Sequence, residues 1–360
     1  MSDQPFTPEE EQRRDAFAGR LLSAAIATFD VVSVYMGDRL GFYRALADGG
    51  AATPAELAAR SGCHERYVRE WLEQQAATGI LSFGAGRFSL PREYAEVLLD
   101  TESLNCVGPI ARLLMGAISP MPRVLEAYRR GGGVLYGDYG PDLRDGQADI
   151  NRSAFLTLLP GEWIPAMPDI HARLQAQPPA RVADVGCGAG WSSIGVARAF
   201  PHAIVDGLDL DEASVELARQ NVAEAGLGDR VNIQLRNAGD PALAGQYDLV
   251  LVLEALHDMS DPVAALSTTR RLCGLGGCVF VADERVAETF APPAEEIERL
   301  MYGWSIVHCL PAGMAEQPSA GTGTVMRAPI VRDYAQRAGF SAVEEQPLEH
   351  LFFRFYRLTP

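Results

Sequence analysis

A glycine-rich loop near the middle of the chain has the first spacing that points to chemistry. Residues 181–200 read RVADVGCGAGWSSIGVARAF. The apolar residues before the loop predict a buried strand, and those after it predict a helix. Glycines let the backbone approach a ligand without a Cβ in the way, and the helix start offers unpaired N–H groups. We therefore predict a nucleotide-type binding loop, whose ligand contacts are Asp184, Gly186, Cys187, Gly188 and Gly190.

The loop departs from the dinucleotide fingerprint, since G-x-G-x-x-G would place glycine where Trp191 stands. Asp209 ends the next predicted strand about 20 residues beyond the loop, where an acid commonly holds two ribose hydroxyls. Leu210 is suited to pack on an adenine ring, and Asp211 is suited to cap the following helix. An acid at this point fits NAD as well, so Asp209 by itself leaves the cofactor open.

His257 and Asp258 stand at the end of another predicted strand, in LVLEALHDMSD. Open α/β sheets hold ligands at the carboxyl ends of their strands. A histidine with a pKa near neutrality can take a proton from a hydroxyl group, so we predict His257 as a general base. Asp258 either orients the ring or is a surface acid. The alternative for His257 is a structural bond to the backbone.

A helix is predicted over residues 294–313, with Ile297, Met301, Trp304 and His308 on one face by their spacing of three or four. We predict His308 as a further catalytic residue. With His257 and Asp258 it would form a two-histidine, one-carboxylate metal site. Two histidines that line one pocket need no metal, however, and we predict none.

The composition excludes several functions. The net charge of −16 argues against a nucleic acid or an anionic membrane as partner. The sequence has no lysine, which excludes a pyridoxal phosphate Schiff base and a Walker A loop. The six cysteines form no CxxC pair, as is usual in a reducing compartment. We found no signal region and no apolar run near about 20 residues, so we predict a cytoplasmic protein that does not span a membrane.

Residues 1–100 predict an α-helical winged-helix domain. Residues 1–14 are polar and predicted to fray, and 15–47 have a broad apolar stripe at helical spacing. Thr53-Pro54-Ala55-Glu56 is a capping box, a second helix covers about 64–78, and ILSFGAGRFSL is a hairpin. The second helix carries Arg66 and Arg69, but also Glu65, Glu70 and Glu73. A DNA-reading helix should present a basic face, so a dimerisation or lid module is favoured over DNA binding.

The rest of the chain predicts a connector and an α/β domain. Residues 101–175 are predicted as connecting helices with a glycine-rich loop that forms a pocket lid. From 176 to 360, strands and helices alternate, which indicates a parallel sheet covered on both faces. The predicted strands lie at 182–185, 204–208, 231–235, 248–253 and 278–283, followed by an antiparallel pair at 341–347 and 350–358.

These motifs resemble class I S-adenosylmethionine-dependent methyltransferases. The loop has their D-x-G-x-G-x-G form, and HDMSD resembles the HDWSD element of small-molecule O-methyltransferases. GDRLGFYRAL, HERYVREWLEQQAATGIL and FFRFYRL resemble bacterial methyltransferases with a winged-helix N-terminal domain, including a mycobacterial group. Plant-type O-methyltransferases are similar more distantly.

The resemblance implies a Rossmann-like seven-stranded sheet whose last strand inserts antiparallel, with S-adenosylmethionine as cofactor. It implies that Glu254 passes beneath the sulfonium and that Asn237 and Ala238 stand at the adenine-binding D-A pair. Asn237 departs from the family's aspartate, although an amide both donates and accepts hydrogen bonds. The resemblance also implies a small-molecule acceptor and a homodimer.

The sequence therefore predicts methyl transfer to a small, aromatic or hydroxylated metabolite, with His257 as base. Two alternatives stay open at this point. One is a winged-helix transcriptional regulator that senses a nucleotide-like ligand. The other is a cofactor-binding protein on the same fold that does not methylate, which the asparagine at 237 keeps open.

Overall fold

The computed structural model describes residues 5–360. Of the residues predicted to fray, 1–4 lie outside the described range. The chain forms two compact units, 1–115 and 116–360. The three-part division predicted from the sequence stays a prediction. The N-terminal unit contains a two-stranded wing and the helices α1 Pro8–Arg39, α2 Phe42–Gly49, α3 Pro54–Ser61, α4 Glu65–Ala77, α5 Arg92–Leu99 and the start of α6 Pro109–Ile118, with β1 Ser82–Gly84 and β2 Arg87–Ser89.

The first helix begins and ends differently from the prediction. A capping box between Thr7 and Glu10 starts α1 at Pro8, so residues 8–14 are helical and not frayed. The predicted helix over 15–47 is broken at Gly41, whose φ of 68° belongs to the left-handed region. The capping box at Thr53 is present, with Thr53 Oγ1 accepting from the Glu56 amide at 3.3 Å.

The apolar stripe of α1 is not buried within the chain. Its large side chains are each more than half exposed: Phe17, Leu21, Leu22, Ile26 and Phe29. By length and composition, α1 passes the test for a helix that could cross a membrane, and none of its most apolar stretch is buried. The length of this apolar helix was not predicted from the sequence, because single charged residues interrupt the apolar run.

The winged-helix elements pack on their own small core. Leu57 of α3, Leu72 of α4 and Phe88 of β2 are buried together there. The exposed arginines of the second helix pair with glutamates one turn away, Arg66 with Glu70 and Arg69 with Glu65. These pairs neutralise the basic side chains of the helix that would face DNA in a DNA-binding winged helix.

The C-terminal unit is built around a seven-stranded sheet. Its strands are β3 Arg181–Val185, β4 Ile204–Asp209, β5 Val231–Leu235, β6 Tyr247–Leu253, β7 Cys273–Glu284, β8 Ala342–Glu345 and β9 Phe353–Thr359. Its helices are α7 Met121–Arg130, α8 Pro141–Leu158, α9 Pro168–Gln175, α10 Trp191–Ala199, α11 Glu212–Glu224, α12 Pro262–Leu272, α13 Glu296–Trp304, α14 Leu310–Gly313 and α15 Ala328–Arg337.

The strand order is β5-β4-β3-β6-β7-β9-β8, and β9 is antiparallel to both of its neighbours. This confirms the predicted α/β class and the antiparallel insertion of the last strand. The order reverses between β3 and β6, which pair in parallel. The carboxyl ends of these two strands therefore meet at the switch point, where open α/β sheets hold their ligands.

Apolar side chains of the central strands alternate between two cores. Val182 and Leu251 lie in one core with α9, α10 and α11, whereas Val185 and Val252 lie in the other with α12 and α15. Because both faces are covered, the strands are rigidly held and their carboxyl ends fix the loops that follow them.

Candidate functional site

The glycine loop needs glycine at Gly186. Its φ is 75°, and a Cβ built there would lie 2.7 Å from the Cβ of Ala255 at the end of β6. The amide of Gly186 donates to the carbonyl of Leu208 on β4 at 2.8 Å. The loop is thus held between its two neighbouring strands, and Gly188 and Gly190 also have positive φ. Trp191 begins α10, as the sequence predicted a helix to begin after the loop.

Asp184 lies beneath the loop and is buried. Its Oδ2 accepts hydrogen bonds from the hydroxyls of Ser192 and Ser193, both at 2.6 Å. Burial raises the pKa of Asp184 against the opposing effect of these hydrogen bonds. The carboxylate, predicted to contact the ligand, therefore joins β3 to the first turn of α10. These bonds hold the start of α10 against the end of β3, and the loop lies between the two elements.

Asp209 ends β4 beside the loop, as predicted. Its Oδ2 accepts from the amide of Gly188 at 2.8 Å, and its Oδ1 accepts from the amide of Asp211 at 2.9 Å. Leu210 is exposed, and Asp211 caps α11 by accepting from the Ser214 amide at 2.8 Å. Burial raises the pKa of Asp209, which the hydrogen bonds from these amides oppose.

Asn237 and Ala238 follow β5. Asn237 is exposed, and its Oδ1 accepts from the amide of Gly239 at 2.8 Å, which closes a short turn. Ala238 packs against the core of the sheet. The side-chain oxygen of Asn237 is thus engaged within its own turn.

His257 is held between two carboxylates at the end of β6. Its Nδ1 lies 2.8 Å from Asp283 Oδ1 at the end of β7, and its Nε2 lies 3.3 Å from Asp258 Oδ1. Only 3% of His257 is exposed. Burial alone lowers the pKa of His257, but the charges of Asp283 and Asp258 outweigh it and raise this pKa well above its usual value.

Three buried acids lie around His257, and two of them, Asp283 and Glu284, were not predicted from the sequence. Asp283 and Glu284 end β7, and the strand prediction over 278–283 was the signal that could have found them. Burial raises the pKa of Glu284 well above its usual value, and it raises the pKa of Glu254 to about 7. Glu254, with a φ of 50°, accepts hydrogen bonds from Gln147 and Asn151 of α8.

His308 lies in a π-helical turn, Ser305–Cys309, that interrupts the predicted helix over 294–313. The His308 ring meets Tyr139 edge-on at 4.6 Å and Tyr136 at 5.8 Å. Burial lowers the pKa of His308, and its Nε2 has no hydrogen-bond partner among the described residues.

Cys309, not His308, completes a cluster with His257 and Asp258. One donor atom from each of the three residues lies within 4.8 Å of the other two. The thiol is buried, which raises its pKa to about 12. The trio considered from the sequence contained His308, which precedes Cys309 in the π-helical turn.

Tyr136 and Tyr139 lie in a 3-10 turn that follows the glycine-rich segment 131–133. The Tyr139 hydroxyl donates to the carbonyl of Val307 at 3.1 Å. Burial and the charges of Asp209, Asp211 and Asp258 raise the pKa of Tyr136.

Two parts of the chain match known domain families. Residues 183–279 match the family described as "Methyltransferase domain", and residues 27–99 match the family described as "Rv2258c-like winged HTH domain". The sheet order and the loop geometry agree with these matches: the C-terminal unit has the fold of class I S-adenosylmethionine-dependent methyltransferases, and an N-terminal winged-helix domain precedes it in the chain.

Known proteins support the same class. A ubiquinone biosynthesis O-methyltransferase of Marinobacter nauticus is 36% identical over 108 residues, 28% of this chain and 43% of that protein. The chain thus spans less than half the length of the curated relatives it matches. The mitomycin 7-O-methyltransferase MmcR has a TM-score of 0.70 at 18% identity, over 97% of this chain and 99% of that one.

A third similar protein is the O-methyltransferase NcsB1 from neocarzinostatin biosynthesis, solved with S-adenosyl-L-homocysteine and 1,4-dihydroxy-2-naphthoic acid. It has a TM-score of 0.58 at 21% identity, over 92% of this chain and 95% of that one. At this identity the two structures establish the shared fold.

Proposed function

We propose that this protein transfers a methyl group from S-adenosylmethionine to an oxygen of a small, aromatic or hydroxylated metabolite. The observation that carries the proposal is the position of His257. It is buried at the switch point beside the glycine loop, with Nδ1 on Asp283 and Nε2 directed away from it. A base beside a nucleotide-type loop fits proton removal from an acceptor that is attacking the cofactor.

The residues around the loop fit the cofactor. Gly186, Gly188 and the start of α10 would hold the methionine part, Asp209 the ribose hydroxyls, and Leu210, Asn237 and Ala238 the adenine. Cys187, Gly190 and Asp184 support the loop, and Glu254 lies beneath its far end. When bound, S-adenosylmethionine supplies a methyl carbon that the sulfonium has already activated.

The protein's own groups would deprotonate and orient the acceptor. Asp283 holds the Nδ1–H tautomer of His257, which leaves Nε2 to take the hydroxyl proton of the acceptor. The acceptor oxygen then attacks in line, and alignment of the two reactants contributes much of the rate. Asp258 lies beside Nε2 and stabilises the imidazolium that results.

The side chains near His257 favour an acceptor that has an aromatic ring and hydroxyl groups. Tyr136, Tyr139 and His308 present ring edges and faces, and His308 has an unpaired Nε2. Glu254 and Glu284 add buried carboxyl groups that can donate or accept a hydrogen bond, because burial raises their pKa values.

We further propose a cytoplasmic homodimer. The exposed apolar stripe of α1 is the surface that a second copy would cover, and its side chains lie at helical spacing from Phe17 to Phe29. A stripe of this size on an isolated chain is typical of an interaction surface.

Calorimetric titration of the metal-stripped protein tests the proposed cofactor. S-adenosylmethionine and S-adenosylhomocysteine should release heat on binding, whereas NAD should not. A screen of phenols and other hydroxylated compounds, followed by mass spectrometry for a gain of one methyl group, then tests the reaction.

Binding without methyl transfer to any acceptor would favour the non-methylating alternative. No adenosyl binding would favour a regulator, which a DNA shift at low salt would support.

A further inference from the structure

We propose that His257, Asp258 and Cys309 form a binding site for a thiophilic divalent cation, of which Zn²⁺ is the physiological example. This proposal goes beyond methyl transfer, and its first test does not depend on that activity. The donor atoms of the three residues lie within 4.8 Å of one another. They come from the end of β6 and from the π-helical turn, two segments that the sheet and its covering helices hold in place.

His257 and Asp258 share one positive charge at their contact. The Nδ1 of His257 faces Asp283, so Nε2 points toward Asp258 Oδ1 at 3.3 Å. This oxygen is buried and has no hydrogen-bond partner among the described residues. When no metal is bound, a proton on Nε2 supplies the positive charge between the two atoms. A metal ion bound by both atoms would take the place of that proton.

The donor set selects the kind of metal. Imidazole nitrogen, thiolate sulfur and carboxylate oxygen are the three ligand types of Zn²⁺ sites, and three protein ligands leave a fourth position open. Mg²⁺ and Ca²⁺ prefer oxygen ligands alone, so the thiol of Cys309 disfavours them. On binding, the metal replaces the thiol proton of Cys309 and the proton on His257 Nε2, and both protons pass to solvent.

The surroundings of the three ligands also match a metal site. Histidines that bind metals almost always donate their other ring N–H to a carboxylate or carbonyl, as His257 Nδ1 is placed to do toward Asp283. The Nδ1 of His308 lies 3.4 Å from Cys309 Sγ, where an N–H would stabilise the thiolate. His308 is more than nine-tenths buried, and its Nε2 lacks a described partner.

Metal at this site would oppose the proposed methyl transfer. The Nε2 lone pair that binds Zn²⁺ is the one that His257 needs as a base. Zn²⁺ should therefore inhibit turnover, and a chelator should restore it. The cluster thus gives the protein a metal-sensitive step at its reacting centre.

Cobalt(II) is the probe for the test, because its spectrum reports the ligands directly. Metal-stripped full-length protein is titrated with Co²⁺. We expect one equivalent to give a thiolate-to-cobalt charge-transfer band in the near ultraviolet, and Zn²⁺ to remove that band. Cys309→Ser should abolish the band, whereas Cys63→Ser, a matched change outside the cluster, should leave it intact.

Two further variants separate a metal site from a folding defect. Asp258→Asn retains the thiol, so the band should persist while the cobalt dissociation constant rises. Asp283→Asn should weaken cobalt binding about 10–100-fold without removing the band, since Asp283 supports a ligand and is not one itself. Thermal unfolding and S-adenosylhomocysteine binding of each variant establish that it is folded. The absence of a charge-transfer band in the wild-type protein, or its persistence in Cys309→Ser, would overturn the proposal.

Discussion

At the scale of single residues, the proposed chemistry depends on the charge state of His257. Two carboxylates raise its pKa well above the usual value, so the ring keeps its proton to a higher pH than an ordinary histidine does. A protonated ring cannot act as a base. The active form therefore exists only above the folded-state pKa, and activity is lost as the pH falls through that value.

The first prediction concerns this pH dependence. With an identified acceptor, kcat/KM of the wild-type protein should rise with pH on a limb that lies above the ordinary histidine range. Asp283→Asn removes one of the charges that raise the pKa of His257, so the limb should move to lower pH. A pH–rate profile of both proteins measures the shift. Coincident limbs would exclude His257 as the group responsible.

The second prediction separates catalysis from binding. His257→Ala should lower kcat by about 10²–10⁴-fold, as expected for loss of a general base, and leave the Kd of S-adenosylhomocysteine unchanged. Single-turnover kinetics and calorimetry measure the two quantities. Wild-type turnover in this variant would assign the proton transfer to another group, of which Glu254 and Glu284 are the nearest buried candidates.

Asp209 carries the third prediction. Asp209→Ala removes the carboxylate that accepts hydrogen bonds from Gly188 and Asp211 and that would hold the ribose. Hydrogen bonds to a charged group contribute about 1.5–3 kcal/mol, so the Kd of S-adenosylhomocysteine should rise roughly 10–100-fold. Asp229→Ala, a change on a surface loop after α11, is the control. Unchanged affinity in Asp209→Ala would place the ribose elsewhere.

At the scale of elements, the switch point between β3 and β6 decides which loops meet. Val185 of β3 lies beside Val252 of β6, so the glycine loop and the His257 turn leave the sheet side by side. The close approach of Gly186 to Ala255 joins these two loops. A change at this contact should therefore affect both the cofactor loop and the turn that carries the base.

Two glycines of the loop offer a matched test. Both Gly186 and Gly188 have positive φ, and adding a Cβ there costs roughly 1–2 kcal/mol. Only at Gly186 would the new Cβ also meet another side chain, at 2.7 Å, whereas nothing lies within 4 Å at Gly188. Gly186→Ala should therefore lower the thermal unfolding midpoint more than Gly188→Ala. Equal midpoints would mean that the loop relaxes freely away from Ala255.

At the scale of the whole molecule, the unpartnered stripe of α1 governs association. The stripe suits a second copy, yet the same helix has the length and composition of a membrane-crossing segment. The two possibilities differ in what the stripe contacts. An interface between copies needs a complementary surface of the same chain, whereas a membrane contact needs only lipid.

The last prediction tests the dimer. Leu22→Glu should shift the mass measured by sedimentation from two chains to one, because it places a charge in the apolar stripe. Ala27→Glu adds the same charge on the opposite side of α1 and should leave the mass unchanged. Flotation of the wild-type protein with lipid vesicles, together with a one-chain mass in their absence, would assign the stripe to a membrane.

Local patterns predicted much of the molecule correctly. The alternation of apolar strands and helices gave the seven-stranded sheet, and the capping box at Thr53 gave the start of α3. The distance of about 20 residues from the glycine loop predicted that Asp209 ends the next strand, and there it accepts from the Gly188 amide. These features depend on residue spacing along the chain, which can be read from the sequence.

The surroundings of His257 depended on the tertiary structure. Asp283 and Cys309 meet it only because β7 pairs with β6 and because a π-helical turn directs Cys309 inward. The exposure of the α1 stripe likewise needed the packing of the folded chain. The sequence by itself determined the elements and the cofactor loop, since local spacing and turn chemistry fix them. Only the tertiary structure decided the charged groups and the partners around His257, since residues distant in the chain supply both.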